Sequence, residues 1–184
     1  MLAGVDPQGG NQVLQRVKSL IRDIPDFPKP GIVFKDITPL LSNGKAFGEV
    51  IGLMAELGKK HAPDCVVAVE SRGFIFGAAL AAHMGVGFVP VRKPGKLPYR
   101  TSRVEYALEY GTDSLEIHSD ALGKGARALV VDDVLATGGT AAATIRLVEQ
   151  QGAIALACLF FIELSFLGGR SKLGSCGVDA LLHY

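Results

Sequence analysis

The stretch ALVVDDVLATGGTAAATIRLVEQ, Ala128 to Gln150, decides how this chain folds. Ala128–Val131 is wholly apolar and β-branched in the middle, the pattern of a strand covered on both faces. Asp132 and Asp133 follow it, then a short loop, Val134–Gly139, and then a run with three successive alanines, Gly139–Gln151, that reads as a helix. A buried strand, a glycine-bearing loop and a helix in that order make one half of a βαβ unit, and ligands of parallel sheets bind at the carboxyl ends of the strands. Gly138 and Gly139 let the backbone come close to an anion. The free N–H groups of the helix start, with Ala136 and the hydroxyls of Thr137 and Thr140, can surround a phosphate monoester.

Outward from this stretch the same alternation recurs. Cys65–Val69 is an apolar strand, Phe74–Met84 a helix, Gly87–Val91 a strand, Ile154–Ile162 another and Val178–Tyr184 a last short one. Extended segments are also expected near Glu109 and over Leu115–Ile117. Residues 46–60 look helical, and Val13, Leu14, Val17, Leu20 and Ile21 recur at helical spacing over Asn11–Asp23. The prolines at 25, 28 and 30 exclude a helix next, and Ile32-Val33-Phe34 forms a short extended segment. The expected architecture is α/β: a central, mainly parallel twisted sheet with flanking helices. Residues 1–10 read as a disordered tail and 11–184 as a single domain.

Bulk properties narrow the function. A net charge of +1 gives no global field for nucleic acid or an anionic membrane, so any anion must be held locally. Cys65, Cys158 and Cys176 show no paired spacing for zinc, and Cys65 and Cys158 read as small buried hydrophobes. The first ten residues lack the basic-then-apolar order of a signal peptide, and the most apolar run, Ala153–Ile162, is far short of a membrane span. We expect a cytoplasmic protein that binds neither nucleic acid nor membrane.

Two other phosphate loops are excluded. No lysine lies between Gly139 and Thr140, as a Walker A loop requires, and GKGARA at Gly123–Ala128 precedes its strand, so its likeness to a dinucleotide fingerprint is accidental. The acid pair has a bland reading as a solvated strand end with helix capping. The functional reading is stronger in this context: adjacent carboxylates repel, and vicinal ribose hydroxyls or a nearby cation would offset them. Strand, acid pair and Thr/Gly loop together read as a cradle for a ribose phosphate.

At this point VVDDVLATGGT resembles the phosphoribosyl-diphosphate signature of the type I phosphoribosyltransferases. Three further segments are similar to the adenine branch of that family. They are IPDFPKPGIVFKDITPLL from Ile24 (with Ile where a Phe is usual), VESRGFIFGAALA from Val69, and VRKPGKLP from Val91 with YALEYGTDSLEIHSDAL from Tyr106. The resemblance covers nearly the whole chain after Ile24. It implies a small hood over about 24–40, a flexible lid over about 92–108, and Mg²⁺-dependent transfer of phosphoribosyl from phosphoribosyl diphosphate to adenine, giving AMP and pyrophosphate in purine salvage.

The resemblance also distributes roles. Pyrophosphate falls to Ser71 and Arg72, where a loop enters a helix, and to the lid cations Arg92, Lys93 and Lys96. A strained peptide bond is implied at Ser71, whose isomer the sequence leaves open. Arg92 is expected to reach the neighbouring site of a homodimer. Glu109 is expected to act as general base toward adenine, with Tyr110 ordering it; Glu105, which also precedes a tyrosine, is the decoy. Adenine is read by the backbone of Val33-Phe34-Lys35, with Phe34 stacking and Val134 or Leu135 closing the other face. Lys35 stands where an arginine is common. No dedicated protein ligand is expected for Mg²⁺, which substrate and water would mainly hold with Asp132 and Asp133 nearby. One rival is a nucleotide-sensing regulator on the same fold, which should show a basic stripe. A nearer rival is an enzyme for hypoxanthine or another 6-aminopurine, and tight readout of an amino group would reject an oxo base.

Overall fold

In the computed structural model, residues 7–107 and 112–184 are described. The chain divides into two compact units, Met1–Gly52 and Leu53–Tyr184, where the sequence pattern suggests one domain carrying a hood.

The first unit opens with helix α1, Pro7–Ser19. Residues 7–10, read from sequence as part of a tail, are helical here; proline suits a helix's first turn, where its missing N–H has no partner to lose. The helix stops short of the expected Asp23. Pro25 disfavours helical backbone at Ile24, and Arg22–Ile24 instead forms strand β1, antiparallel to β2, Phe34–Asp36. In the loop between them Phe27 packs edge-to-face on Phe34 of β2, with centroids 5.2 Å apart, and the Phe27–Pro28 bond is cis. Ion pairs Arg22–Asp36 (2.9 Å) and Lys35–Asp23 (2.6 Å) brace the hairpin. A short helix α2, Thr38–Ser42, follows, and the unit boundary falls within α3, Gly44–Lys59.

The second unit is the expected parallel sheet. Strands β3 (Cys65–Val69), β4 (Gly87–Val91), β7 (Arg127–Leu135), β8 (Ile154–Glu163) and β9 (Gly177–His183) form one five-stranded sheet in the order β4-β3-β7-β8-β9, with every pair parallel. Helix α4, Arg72–Met84, connects β3 to β4, and α5, Gly139–Gln150, connects β7 to β8. Strands β5 (Thr101–Ala107) and β6 (Thr112–His118) form a separate antiparallel hairpin. Half of the expected lid is thus regular structure.

Packing follows from the sequence. Val66, Val67 and Val130 are fully buried in the two central strands, as sheet faces covered on both sides require. Phe76 of α4 stacks on Phe161 of β8, with centroids 5.2 Å apart. Burying a phenylalanine completely contributes about 1.5–3 kcal/mol. The other face is filled by Val104, Leu115 and Ile117 of the hairpin with Ala141, Ile145 and Val148 of α5.

The strand order fixes where ligands go. From β3 the chain moves outward to β4, whereas from β7 it moves the opposite way to β8 and β9. Adjacent strands β3 and β7 therefore flank the topological switch point, where the loops leaving their carboxyl ends diverge and leave a crevice.

Candidate active site

Two helix starts face this crevice. Helix α4 begins after Ser71 and α5 after Gly138, and neither is capped by a side chain, which leaves the first-turn amides without intrahelical partners. Gly138 sits at φ +79, and a Cβ there would lie 2.3 Å from the carbonyl oxygen of Gly169. A Cβ on Gly169 would in turn lie 2.2 Å from the Ala136 carbonyl. Backbone thus meets backbone behind the loop, a contact open to glycine alone. Val134, Leu135, Ala136, Thr137, Gly138, Gly139 and Thr140 line a small hollow of about 80 Å³ with Asp132 at its edge.

A second cavity of about 230 Å³ adjoins it and is lined by Glu70, Ser71, Arg72, Lys93, Asp132, Asp133 and Thr140, among others. Asp132 and Thr140 border both hollows, so the acid pair lies between the α5 loop and the α4 loop. Gly73 lets these loops meet: a Cβ there would be 2.7 Å from Asp132 Oδ1. The Glu70–Ser71 peptide bond is cis.

The acids belong to the strand itself. β7 continues past Val131 to Leu135 because the long β8 keeps pairing with it, Asp132 opposite Phe160 and Val134 opposite Ile162. Burial, then the charge of Asp133, pushes the Asp132 carboxyl well above the ordinary range. Burial also raises Asp133, against the pull of Arg72. Arg72 Nε lies 2.8 Å from Asp133 Oδ2, yet that buried oxygen has no aligned hydrogen bond among the described residues. The contact is an ion pair, not a directed hydrogen bond. Asp132 Oδ1 accepts from the Asp133 amide at 2.9 Å, so it is Asp133 Oδ2 that is suited to an outside donor.

The lid cations converge on a residue that sequence reasoning passed over. Glu70 accepts from Arg92 Nη2 (3.1 Å), Lys96 Nζ (3.2 Å) and the Lys93 amide. Burial of Glu70 opposes ionisation, and the Lys93 amide, Lys96 and Arg92 outweigh it, holding its carboxyl below the usual range. Arg92 also donates to the Lys96 carbonyl and pairs by its backbone with Glu116. The Lys93 ammonium contacts Asp113, which also accepts from the Tyr106 hydroxyl at 3.2 Å and the Ser114 amide at 2.8 Å. Burial works against the Lys93 charge, and Asp113 and Tyr106 reverse that, raising it. An acid directly before Ser71, beside a strand feeding three cations, was the available signal.

Of the adenine candidates, Val33 is exposed and Phe34 and Lys35 are half-buried in the first unit, Phe34 against Phe27. In the second unit Val134 is half-buried. Leu135 is 1% exposed, packs in the core and borders the small hollow beside Val134. Glu109 and Tyr110 lie outside the described residues.

Residues 36–165 match the phosphoribosyl transferase domain family. The adenine phosphoribosyltransferase of Roseiflexus sp. (strain RS-1) is 58% identical over 165 residues, covering 90% of this chain and 96% of that protein. That of Thermotoga maritima is 58% identical over 168 residues, covering 91% and 97%. The crystal structure of adenine phosphoribosyltransferase from Thermoanaerobacter pseudethanolicus superposes with a TM-score of 0.91 at 54% identity, covering 93% and 99%. The Saccharomyces cerevisiae enzyme, crystallised with an imino-altritol bisphosphate and adenine, gives 0.88 at 44% identity, covering 94% and 99%. Sheet order and relatives together define the type I phosphoribosyltransferase fold. The chain belongs to the phosphoribosyl transferase family and, within it, to the adenine phosphoribosyltransferases, which are pentosyltransferases.

Proposed function

We propose that the chain transfers the 5-phosphoribosyl group of phosphoribosyl diphosphate to adenine, giving AMP and pyrophosphate in a Mg²⁺-dependent step of purine salvage in the cytoplasm. The observation that carries this reading is the acid pair set between two uncapped helix starts at the switch point, Asp132 half-buried and Asp133 buried with its Oδ2 lacking an aligned hydrogen bond among the described residues. Anionic groups suit the helix starts, and a diol suits the acids.

In this reading the 5-phosphate takes the amides and hydroxyls of Ala136–Thr140, and the ribose hydroxyls donate to Asp132 and Asp133. The diphosphate takes Ser71 and Arg72, and Lys93 and Lys96 join it by giving up Asp113 and Glu70. The attacking ring nitrogen of adenine forms its bond to the anomeric carbon as the bond to pyrophosphate breaks, and its proton passes to Glu109, oriented by Tyr110. Val33–Lys35 read the base through backbone groups, and Val134 offers an apolar surface. Mg²⁺ would be held by substrate and water beside Asp132 and Asp133, whose carboxylate oxygens are the hard donors it prefers, and would offset diphosphate charge. The functional unit is a homodimer in which Arg92 serves the neighbouring site. That role requires it to leave its own Glu70.

The test is pyrophosphate release with Mg²⁺ and phosphoribosyl diphosphate, presenting adenine, hypoxanthine, guanine, xanthine and orotate separately. Release with adenine alone is expected. Comparable rates with an oxo base, or none with adenine, overturn the reading.

A further inference from the structure

Away from the crevice lies a larger cavity of about 600 Å³, running along α5 from Gly139 past Arg146 and Glu149 to Lys172, Ser175 and Cys176. Cys176, half-buried, stands at its wall. Its Sγ is 3.9 Å from Sγ of Cys158, a fully buried residue of β8. The closeness follows from register. Cys158 pairs with Val178 in the parallel ladder, so Cys176 lies two residues earlier and shares its face of the sheet.

We propose that Cys176 and Cys158 form a peroxide-responsive pair that closes to a reversible disulfide and disturbs the phosphate loop. The two thiols are unequal. Cys176 is half-buried at the cavity wall, whereas Cys158 is fully buried in β8. The contact with Cys176, then burial, pushes the Cys158 thiol far up. Cys176 is thus the accessible attacking sulfur and Cys158 the protected resolving one. Cys65 is a poor competitor, since burial raises its thiol too.

The chemistry balances with a hydroperoxide as oxidant. The Cys176 thiolate attacks one peroxide oxygen, the O–O bond breaks, and hydroxide leaves, giving a sulfenic acid. The Cys158 thiol gives its proton to that hydroxide as its sulfur attacks Cys176. The S–O bond breaks, and water departs with a second proton from the medium supplied through the cavity. Hydrogen peroxide is reduced to water and the two thiols are oxidised to one disulfide.

Closure must bring the sulfurs from 3.9 Å to about 2.05 Å. β8 is an interior strand, paired on both sides around Cys158, so the travel falls on Cys176 and the turn before it, which includes Gly174 at φ +61. This turn continues the segment Gly169–Lys172. Gly169 is the residue whose backbone abuts Ala136 and Gly138 behind the phosphate loop. Arg170 is fixed to Glu163 through both carboxylate oxygens and to the Val178 carbonyl, and Leu173 is buried. A pull at Cys176 therefore acts on a short braced segment with little slack before the loop.

The test treats the intact chain with hydrogen peroxide. An intact mass lower by two hydrogen atoms, a Cys158–Cys176 linked peptide, and reversal by dithiothreitol are expected. AMP formation by the linked form should fall roughly tenfold or more, since small misplacements of substrate are costly. Cys176→Ser should match the untreated rate and lose both linkage and peroxide sensitivity. Cys158→Ala should gain oxygen on Cys176 without linkage. Oxygen addition without linkage in the unsubstituted chain, linkage through Cys65 or between chains, or a linked form of unchanged rate would each overturn the proposal. Linkage is read by mass alone, so its failure is distinct from a failure of the assigned reaction.

Discussion

Replacing Gly138 with alanine tests the phosphate loop most directly. The residue sits at φ +79, where a side chain costs about 1–2 kcal/mol. The added Cβ would also lie 2.3 Å from the Gly169 oxygen, 3.1 Å from its carbonyl carbon and 3.3 Å from its Cα. All three are backbone atoms, so no rotamer change relieves the clash, and one segment must move by about 1 Å; overpacking of this kind costs about 1–3 kcal/mol. Together the penalties come to about 3 kcal/mol, which for a chain of this size lowers Tm by roughly 6–12 °C. Because the moved segment carries the phosphate-binding amides, KM for phosphoribosyl diphosphate should rise by about tenfold or more. Gly125→Ala is the control: φ is +77 with nothing within 4 Å, so only the backbone penalty of about 1–2 kcal/mol applies. Calorimetric melting and initial rates read both effects. A Gly138→Ala protein that melts like the Gly125→Ala control and keeps its KM would refute the claim that Gly169 braces the loop.

Replacing Glu109 with leucine should lower kcat by about 10²-fold with Tm unchanged, and an unaffected rate would move the base to Glu105 or to water. Asp132 has a folded-state pKa above its unfolded value, so the folded protein loses stability as pH rises through that raised value. Asp132→Asn should remove this fall, raising Tm at neutral and alkaline pH while weakening phosphoribosyl diphosphate binding; a lower Tm at pH 8 would contradict the sign. Glu70 is shifted the other way, so its contribution is present above the unfolded carboxylate range and is lost on acidification through its lowered value. Glu70→Gln should therefore cost about 1–3 kcal/mol at neutral pH and nothing at pH 2, measured by denaturant melts.

The parallel strands were legible because residues such as Val66, Val67 and Val130 are apolar on both faces, and α5 because its pattern is helical throughout. That Arg72, Asp132, Asp133 and Thr137–Thr140 gather around one crevice was legible because each sits within a few residues of a strand end. What escaped was set by pairing between distant segments. β7 runs on to Leu135 only because β8 supplies partners. The β1 hairpin forms because Arg22–Ile24 finds Phe34–Asp36, although the local pattern at Leu20 and Ile21 favours continuing the helix. Leu135, a candidate for the base, is almost wholly buried where it borders the hollow. Glu70 was overlooked because its partners at 92, 93 and 96 reach it only once β3 and β4 lie side by side.

That arrangement around Glu70 bears on how quickly an anion is captured. Cations tied to a carboxylate of their own chain project little long-range attraction into the surroundings, so ionic strength should hardly alter the association rate of phosphoribosyl diphosphate. Docking then becomes an exchange of partners at close range, with Glu70 as the group displaced. A steep decline of that rate with added salt would show the lid charges acting at a distance instead.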